Sequence, residues 1–356
     1  MTAANNDNRS ATAAAGAGAG AGDAFARPAE PGEPAPAAAG RVPRGALAGW
    51  RPDPLDIGIV VVVLAVIVAG ALTTRFFSLA NARAILASSA WVGITAIGAT
   101  VVMIAGSAVS LAVSQTATVA AMIFFETQQL GLPLAIVLTL LAGVAITALQ
   151  GAVIGYWAAN PIVLTIAAGF AIDGVAIWIS GGTTVYPKVT AFNGLNATPL
   201  GLPLAVYVLL GLTVLAEWFL RRTTAGRQMY LLGENPAAAR AAGLPVARVT
   251  VSAWAFFGAC IALTGIFLAA FNTIANSSVG GTLSLDAIAA VLVGGTAIGG
   301  GKGSAVRTLG GAVLISAISD LLLLRGFPTG IQLLVKGILV LLVVIAVHVR
   351  SARGRR

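Results

Sequence analysis

The chain has 356 residues, 58% of them hydrophobic and only 9% charged, with a mean hydropathy of +0.94. A soluble domain carries about 25% charged residues, so a water-soluble globule is excluded and an all-α polytopic membrane protein is expected. The formal net charge of +9 then belongs in cytoplasmic loops and tails rather than on a nucleic-acid surface.

Residues 1–51 are rich in Ala, Gly and Pro, including the run AAAGAGAGAG. They lack the large apolar side chains that offset ordering entropy, so a disordered cytoplasmic tail is expected. No basic stretch leads into an apolar core there, which argues against a secretory signal. A transmembrane domain is expected over 52–349, and 350–356 form a basic tail.

A spanning helix needs about 20 mainly apolar residues. Ten candidates follow in order: 56–74, 84–105, 108–126, 132–153, 161–180, 201–219, 250–271, 285–299, 305–324 and 329–348. The break near Gly106 and Ser107 reads either as a turn or as a discontinuous helix, and 285–299 is short and Gly-rich. With ten spans and both termini inside, only Arg75, Arg83, Lys188 and Arg325 of the 21 Lys and Arg face outward, and Lys336 lies within the last span. Nine spans would export one basic terminus, so ten fits the positive-inside rule better. Cys260 has no second cysteine to pair with, and His348 reads as an interfacial residue at the end of the last span.

One long polar interval separates the spans, from Arg221 to Val249, with Arg221, Arg222, Arg227, Arg240 and Arg248. Inside it, Asn235 is a good N-cap, Pro236 suits the first helical position, residues 237–242 favour helix and Gly243 can close it. A short helix between two spans has no core of its own to fill. It reads as a docking element for a soluble partner, with an ordinary surface loop as the alternative.

The stretch LDAIAAVLVGGTAIGGGKGS from Leu285 to Ser304 ends in a Gly-rich run and a lysine. Tested against the phosphate-loop pattern G-x-x-x-x-G-K-[S/T], it fails twice: Thr296 stands at the first glycine, and Gly303 follows Lys302 where a magnesium-holding hydroxyl is required. It reads as a tight cytoplasmic turn, and no nucleotide hydrolysis is expected from this chain.

GRQMYLLGENPAAARAAGLPVARV, then Gly265, then the Leu285 to Ser304 stretch, then QLLVKG at Gln332 to Gly337 occur in order. Together they resemble the permease subunits of bacterial ATP-binding-cassette importers of the ribose and simple-sugar type, in the superfamily that includes branched-chain amino acid permeases. The likeness is densest over about 220–340. It is echoed by Phe77, Leu79 and Asn81, by NPIVLTIA from Asn160, and by Gly181 and Gly182.

The resemblance implies a multi-pass bacterial plasma-membrane protein. Its partners would be two cytoplasmic ATPase subunits, a second permease subunit (homo- or heterodimer), an extracytoplasmic solute-binding protein and membrane lipid. It implies no cofactor on this chain, ATP and Mg being used by the ATPases. Glu234, Asn235, Pro236, Ala237, Ala238, Ala239, Arg240 and Gly243 fall at the family's ATPase-docking loop, with Ala237 where the pattern has Glu. The family's G-G-I-D-L-S-V-G reads SAVSLAVS here from Ser107 to Ser114, so Ser110 replaces the Asp; its Arg-Gly pair reads Asp173-Gly174.

Polar groups inside spans are costly and mark pathways. The candidates are Asp173, which stands out because the family has Arg there, and Ser110, Ser114, Gln115, Gln150, Thr165 and Asn272, each of which could equally be satisfied by a neighbouring helix. Asp320 and Lys336 are a candidate structural ion pair, and Asp286 reads as a cap at the start of its span. A monosaccharide is the expected cargo. An amino acid or nucleoside on the same machine, or an autonomous ion-coupled transporter, are the alternatives; the last leaves the docking-like loop unexplained.

Overall fold

The computed structural model describes residues 54–353. The expected tail over 1–51 therefore lies outside the described residues. Twelve α-helices account for most of the described chain: α1 (Pro54–Ala71), α2 (Leu79–Ile104), α3 (Val113–Thr127), α4 (Leu132–Trp157), α5 (Pro161–Ser180), α6 (Leu204–Arg222), α7 (Thr224–Glu234), α8 (Pro236–Ala241), α9 (Val246–Asn272), α10 (Leu283–Val293), α11 (Ala305–Leu324) and α12 (Thr329–Arg353). Strand-type pairing is limited, among the described residues, to one isolated bridge between Val185 and Ala275. An all-helical fold is what a bilayer demands, because a helix satisfies its own backbone groups.

Each of the ten predicted segments coincides with a helix. Six of these, α2, α4, α5, α6, α9 and α11, are long and apolar enough to cross a membrane. At 11 residues, α10 is about 16 Å long, well short of a ~30 Å hydrocarbon core. The undecided stretch around 84–126 resolves as a discontinuity: α2 stops at Ile104, residues 105–112 are non-helical, and α3 starts at Val113. Helix α12 runs to Arg353, past the boundary expected at residue 350.

Two helices form the centre. The apolar windows of α2 and α9 are each 72% buried, against 17% for α5. Close approach explains why. Along α4, Gly143, Thr147, Gly151 and Gly155 fall one turn apart on one face and meet α9. A Cβ on Gly143 would lie 2.8 Å from the Gly258 carbonyl oxygen, and one on Gly155 would lie 3.0 Å from the Ala247 Cα. Small residues give helices this proximity in lipid, where no hydrophobic effect drives them together. Paired hydroxyls add to it: Thr95 and Thr264 join α2 to α9 at 2.8 Å, and Thr100 and Thr308 join α2 to α11 at 2.7 Å.

The connections gather at two ends. At one, Gly301 N–H donates to Ile104 O at 3.0 Å, and Gly155 lies against Ala247, so the ends of α2, α4 and α10 meet the α6–α9 connection. At the other, Arg325 donates to Ala69 O and Thr73 Oγ1, each at 2.9 Å. Asn196 Nδ2 donates to Ala270 O there at 2.6 Å, and Lys188 pairs with Glu126. Successive helices thus alternate direction.

Candidate functional site

The polar interval folds into two helices set at a corner. Thr223 Oγ1 accepts from Gly226 N–H at 3.0 Å and starts α7. Asn235 ends α7 and caps α8, its Oδ1 accepting from Ala237 N–H at 3.1 Å and Ala238 N–H at 3.0 Å, with Pro236 in the first turn. Leu244 N–H returns to Ala239 O at 3.1 Å, closing α8 through Gly243 at φ +75°. This is the two-sided capping that Asn and Gly supply.

Within α8 only Ala239 is buried; Glu234, Asn235, Pro236, Ala237, Ala238, Arg240 and Gly243 are exposed. The corner is nevertheless held firmly from beneath. Gly233, at the end of α7, lies so close to α2 and the Gly-rich run that a Cβ there would sit 1.9 Å from Ile104 O and 2.4 Å from Gly301 N. A Cβ on Gly300 would meet Gly106 Cα at 2.7 Å and Gly233 Cα at 2.9 Å. Gly106, Gly300 and Gly301 have φ of +81°, +85° and +72°, which side chains with a Cβ resist. Three backbones therefore touch at this junction.

Polar contacts brace it on both sides. Tyr230 Oη donates to Gly303 O at 3.0 Å, and burial pushes its phenol above the usual range, so it remains a donor at neutral pH. Glu217 of α6 accepts from Ala305 N–H at 2.8 Å, from Ser304 Oγ and from Arg221, capping α11 from a neighbouring helix. The Gly-rich run is thus more than a turn: it is the seat of the α7–α8 corner.

The interior candidates divide into groups. Ser110, Ser114, Gln115 and Thr165 are brought together where α3 begins beside α5. Ser110 Oγ accepts from Ala112 N–H at 3.1 Å, and Thr165 Oγ1 accepts from Leu111 N–H at 3.2 Å. A Cβ on Gly169 would lie 3.7 Å from Gln115 Cδ, and Gln115 Oε1 is buried without a hydrogen-bond partner. Asp173, half-buried at mid-helix, follows Thr165 and Gly169 at helical spacing on the same face of α5. Among the described residues it has no hydrogen-bond or ion-pair partner. Gln150, on α4, is buried with its Oε1 unpartnered. Asn272 stands apart: it is exposed at the end of α9 and donates to Leu268 O at 3.0 Å, a local helix contact.

Ser114 has a partner the sequence did not suggest. Ser114 N–H donates to Ser284 Oγ at 3.0 Å, and Ser284 N–H donates to Ser114 Oγ at 3.1 Å. The two short helices α3 and α10 therefore cap one another, satisfying start-of-helix N–H groups that lipid could not. The signal was present as a serine near the start of each short span, but nothing linear links residues 170 positions apart.

The expected Asp320–Lys336 pair is not formed. Lys336 Nζ instead lies 2.6 Å from Asp286 Oδ1, both residues being buried, while Asp320 Oδ2 accepts from Asn81 Nδ2 at 2.7 Å. The reason is packing: α12 is laid against α10 and α1 more than against its sequence neighbour α11. Asp286 also accepts from Thr282 Oγ1 at 2.7 Å in the first turn of α10, a side-chain contact in place of the expected cap on backbone N–H groups.

Comparison with known proteins bears on the whole of this arrangement. The family described as the permease component of the branched-chain amino acid transport system matches residues 81–344. The ribose import permease protein RbsC of Escherichia coli (strain K12) is 30% identical over 306 residues, 83% of this chain and 94% of that protein. The autoinducer 2 import system permease protein LsrD of Yersinia enterocolitica is 32% identical over 263 residues, 71% of this chain and 79% of its own. LsrD of Photorhabdus laumondii is likewise 32% identical, over 264 residues, with the same coverage. No solved structure matches the chain significantly.

Proposed function

The chain belongs to the permease-component family of branched-chain amino acid transport systems, and from that premise we propose that it is the pathway-forming subunit of an importer driven by separate ATPase subunits. It is a multi-pass protein of the inner membrane. The observation that carries the proposal is the α7–α8 corner, an exposed capped helix whose base is locked to the ends of α2 and α10 through Gly106, Gly233, Gly300 and Gly301. A partner that moves α8 moves those helices too, because the backbones meet with no side chain to absorb the displacement. Differential contact of α8 with the ATPase in its two states would then bias alternating access.

In this reading the chain crosses the bilayer ten times, with α10 making only part of its crossing as helix, and both termini are cytoplasmic. The alternation of helix directions supports it, as does the clustering of Arg221, Arg222, Arg227, Lys302 and Arg307 at the α7–α8 end. The chain binds no cofactor, and ATP and Mg act in the partner subunits, consistent with the broken phosphate-loop pattern at Thr296 and Gly303. A second permease subunit completes the pathway. An extracytoplasmic binding protein delivers the solute, a monosaccharide by analogy with the relative named for ribose import.

The test is co-expression with a candidate ATPase subunit and binding protein, followed by reconstitution. Ala238→Arg, on the exposed side of α8, is expected to leave the permease folded and abolish ATP-driven uptake. Uptake by the permease reconstituted without any ATPase would refute the proposal. Thermal-shift screening of the binding protein against sugars and amino acids decides the cargo class.

A further inference from the structure

A cavity of about 280 Å³ lies between α2, the segment leading into α10, α11 and α12, and its lining includes Trp91, Asp286, Ser316, Ser319, Gln332 and Lys336. This is close to the lower end of the ~300–1,000 Å³ of small-molecule sites. It sits away from the α7–α8 corner: Lys336 is seven residues, about 10 Å, from the start of α12 at the opposite end of the bundle. Of the lining residues, Asp286 was expected to cap its span, Lys336 to pair with Asp320, and Gln332 only to open the QLLVKG motif.

Its chemistry is unusual for a membrane interior. Asp286 and Lys336 are 9% and 7% exposed and form an ion pair with each other, so the site holds charge yet carries no net charge. Ser316 is 2% exposed, and its Oγ has no hydrogen-bond partner. Ser319 and Gln332 donate to Ile315 O and Phe327 O, which leaves the serine lone pairs and the glutamine carbonyl able to accept. Half-buried Trp91 adds an aromatic surface. Buried polar groups are ordinarily satisfied, and an unpartnered hydroxyl beside a paired acid and base is a site awaiting a partner.

We infer that this cavity is a binding subsite for a small neutral polyol, of monosaccharide size, on its way through the permease. The inference rests on the importer reading above and adds to it where in this chain the solute is held. A sugar hydroxyl both donates and accepts, which matches acceptors on Asp286, Ser319 and Gln332 and donors on Lys336 and Ser316. The aromatic face suits the C–H side of a sugar ring. An ion has no net countercharge here, and a zwitterionic amino acid would bring two further charges into a buried site whose own charges already neutralise each other.

Two measurements test it. Cys260 is the sole cysteine and is buried, so in the Ser319→Cys variant a small methanethiosulfonate labels only the introduced thiol. With the permease alone in proteoliposomes, D-ribose is expected to slow labelling at least threefold and leucine to leave it unchanged. In the complete importer, Ser316→Ala, which removes the hydroxyl without adding bulk, is expected to raise KM for ribose about tenfold with little change in kcat.

Ribose uptake with no protection and an unchanged KM would overturn the subsite and leave the importer reading intact. Protection by leucine and not by ribose would overturn the polyol assignment. Because labelling is read on the permease alone, protection by ribose supports the site even if the ATPase pairing were wrong.

Discussion

Gly233→Ala is the sharpest probe of the junction beneath α8. In an ordinary helix the change adds up to ~1 kcal/mol of stability. Here the new Cβ would lie 1.9 Å from Ile104 O and 2.4 Å from Gly301 N, where ordinary contact begins at 3.4 Å. Both neighbours are backbone atoms, so α2 and the Gly-rich run must retreat by about 1 Å or more. Overpacking of this kind costs ~1–3 kcal/mol. The same retreat stretches the 3.0 Å bond from Gly301 N–H to Ile104 O, worth ~1 kcal/mol net. A net loss of about 1–3 kcal/mol follows, with the sign opposite to helix propensity.

Thermal unfolding of the detergent-solubilised permease, followed by tryptophan fluorescence, measures the loss. Gly310→Ala is the control, since its Cβ would meet nothing within 4 Å on α11. The functional counterpart is solute transported per ATP hydrolysed in the reconstituted importer, expected to fall severalfold for Gly233→Ala and to hold for Gly310→Ala. A Gly233→Ala protein as stable and as tightly coupled as the parent would refute both the close contact and its role in transmission.

Other residues give independent tests. Lys336→Met should destabilise the chain by about 3–5 kcal/mol, because it strands a buried carboxylate; pairing it with Asp286→Leu should recover most of the loss, while pairing it with Asp320→Asn should not, as read by melting temperatures. Asn235→Ala removes the shared cap of α7 and α8 and should cost about 1 kcal/mol, with greater hydrogen exchange confined to residues 236–243. The Thr95→Val, Thr264→Val double-mutant cycle should show a coupling of about 0.6 kcal/mol, the usual worth of such bonds between helices in membranes; zero coupling would remove that pair from the α2–α9 contact.

Much was legible because a membrane chain obeys severe local rules. The helices at 132–157 and 161–180 follow from apolar length alone, since every backbone group in lipid must bond within its own segment. The α8 helix was readable from Asn235, Pro236 and Gly243 because capping is a matter of neighbours within a few residues. The expectation of a docking loop rests on the same stretch together with the order of motifs around it.

What only the tertiary structure decided concerns partners far apart in the chain. Lys336 had a choice of acids, and Asp320 was the expected one; the lie of α12 against α10 selected Asp286. Ser114 and Ser284 cap each other across 170 positions, which no local pattern encodes. The break at Gly106 and the run holding Gly300 and Gly301 read as separate turns, and Gly233 had no reading of its own, yet the backbones of all four meet. Hydropathy and capping act over a few residues and are written locally; contact between helices depends on how the whole bundle settles, and that arises only when the distant segments meet.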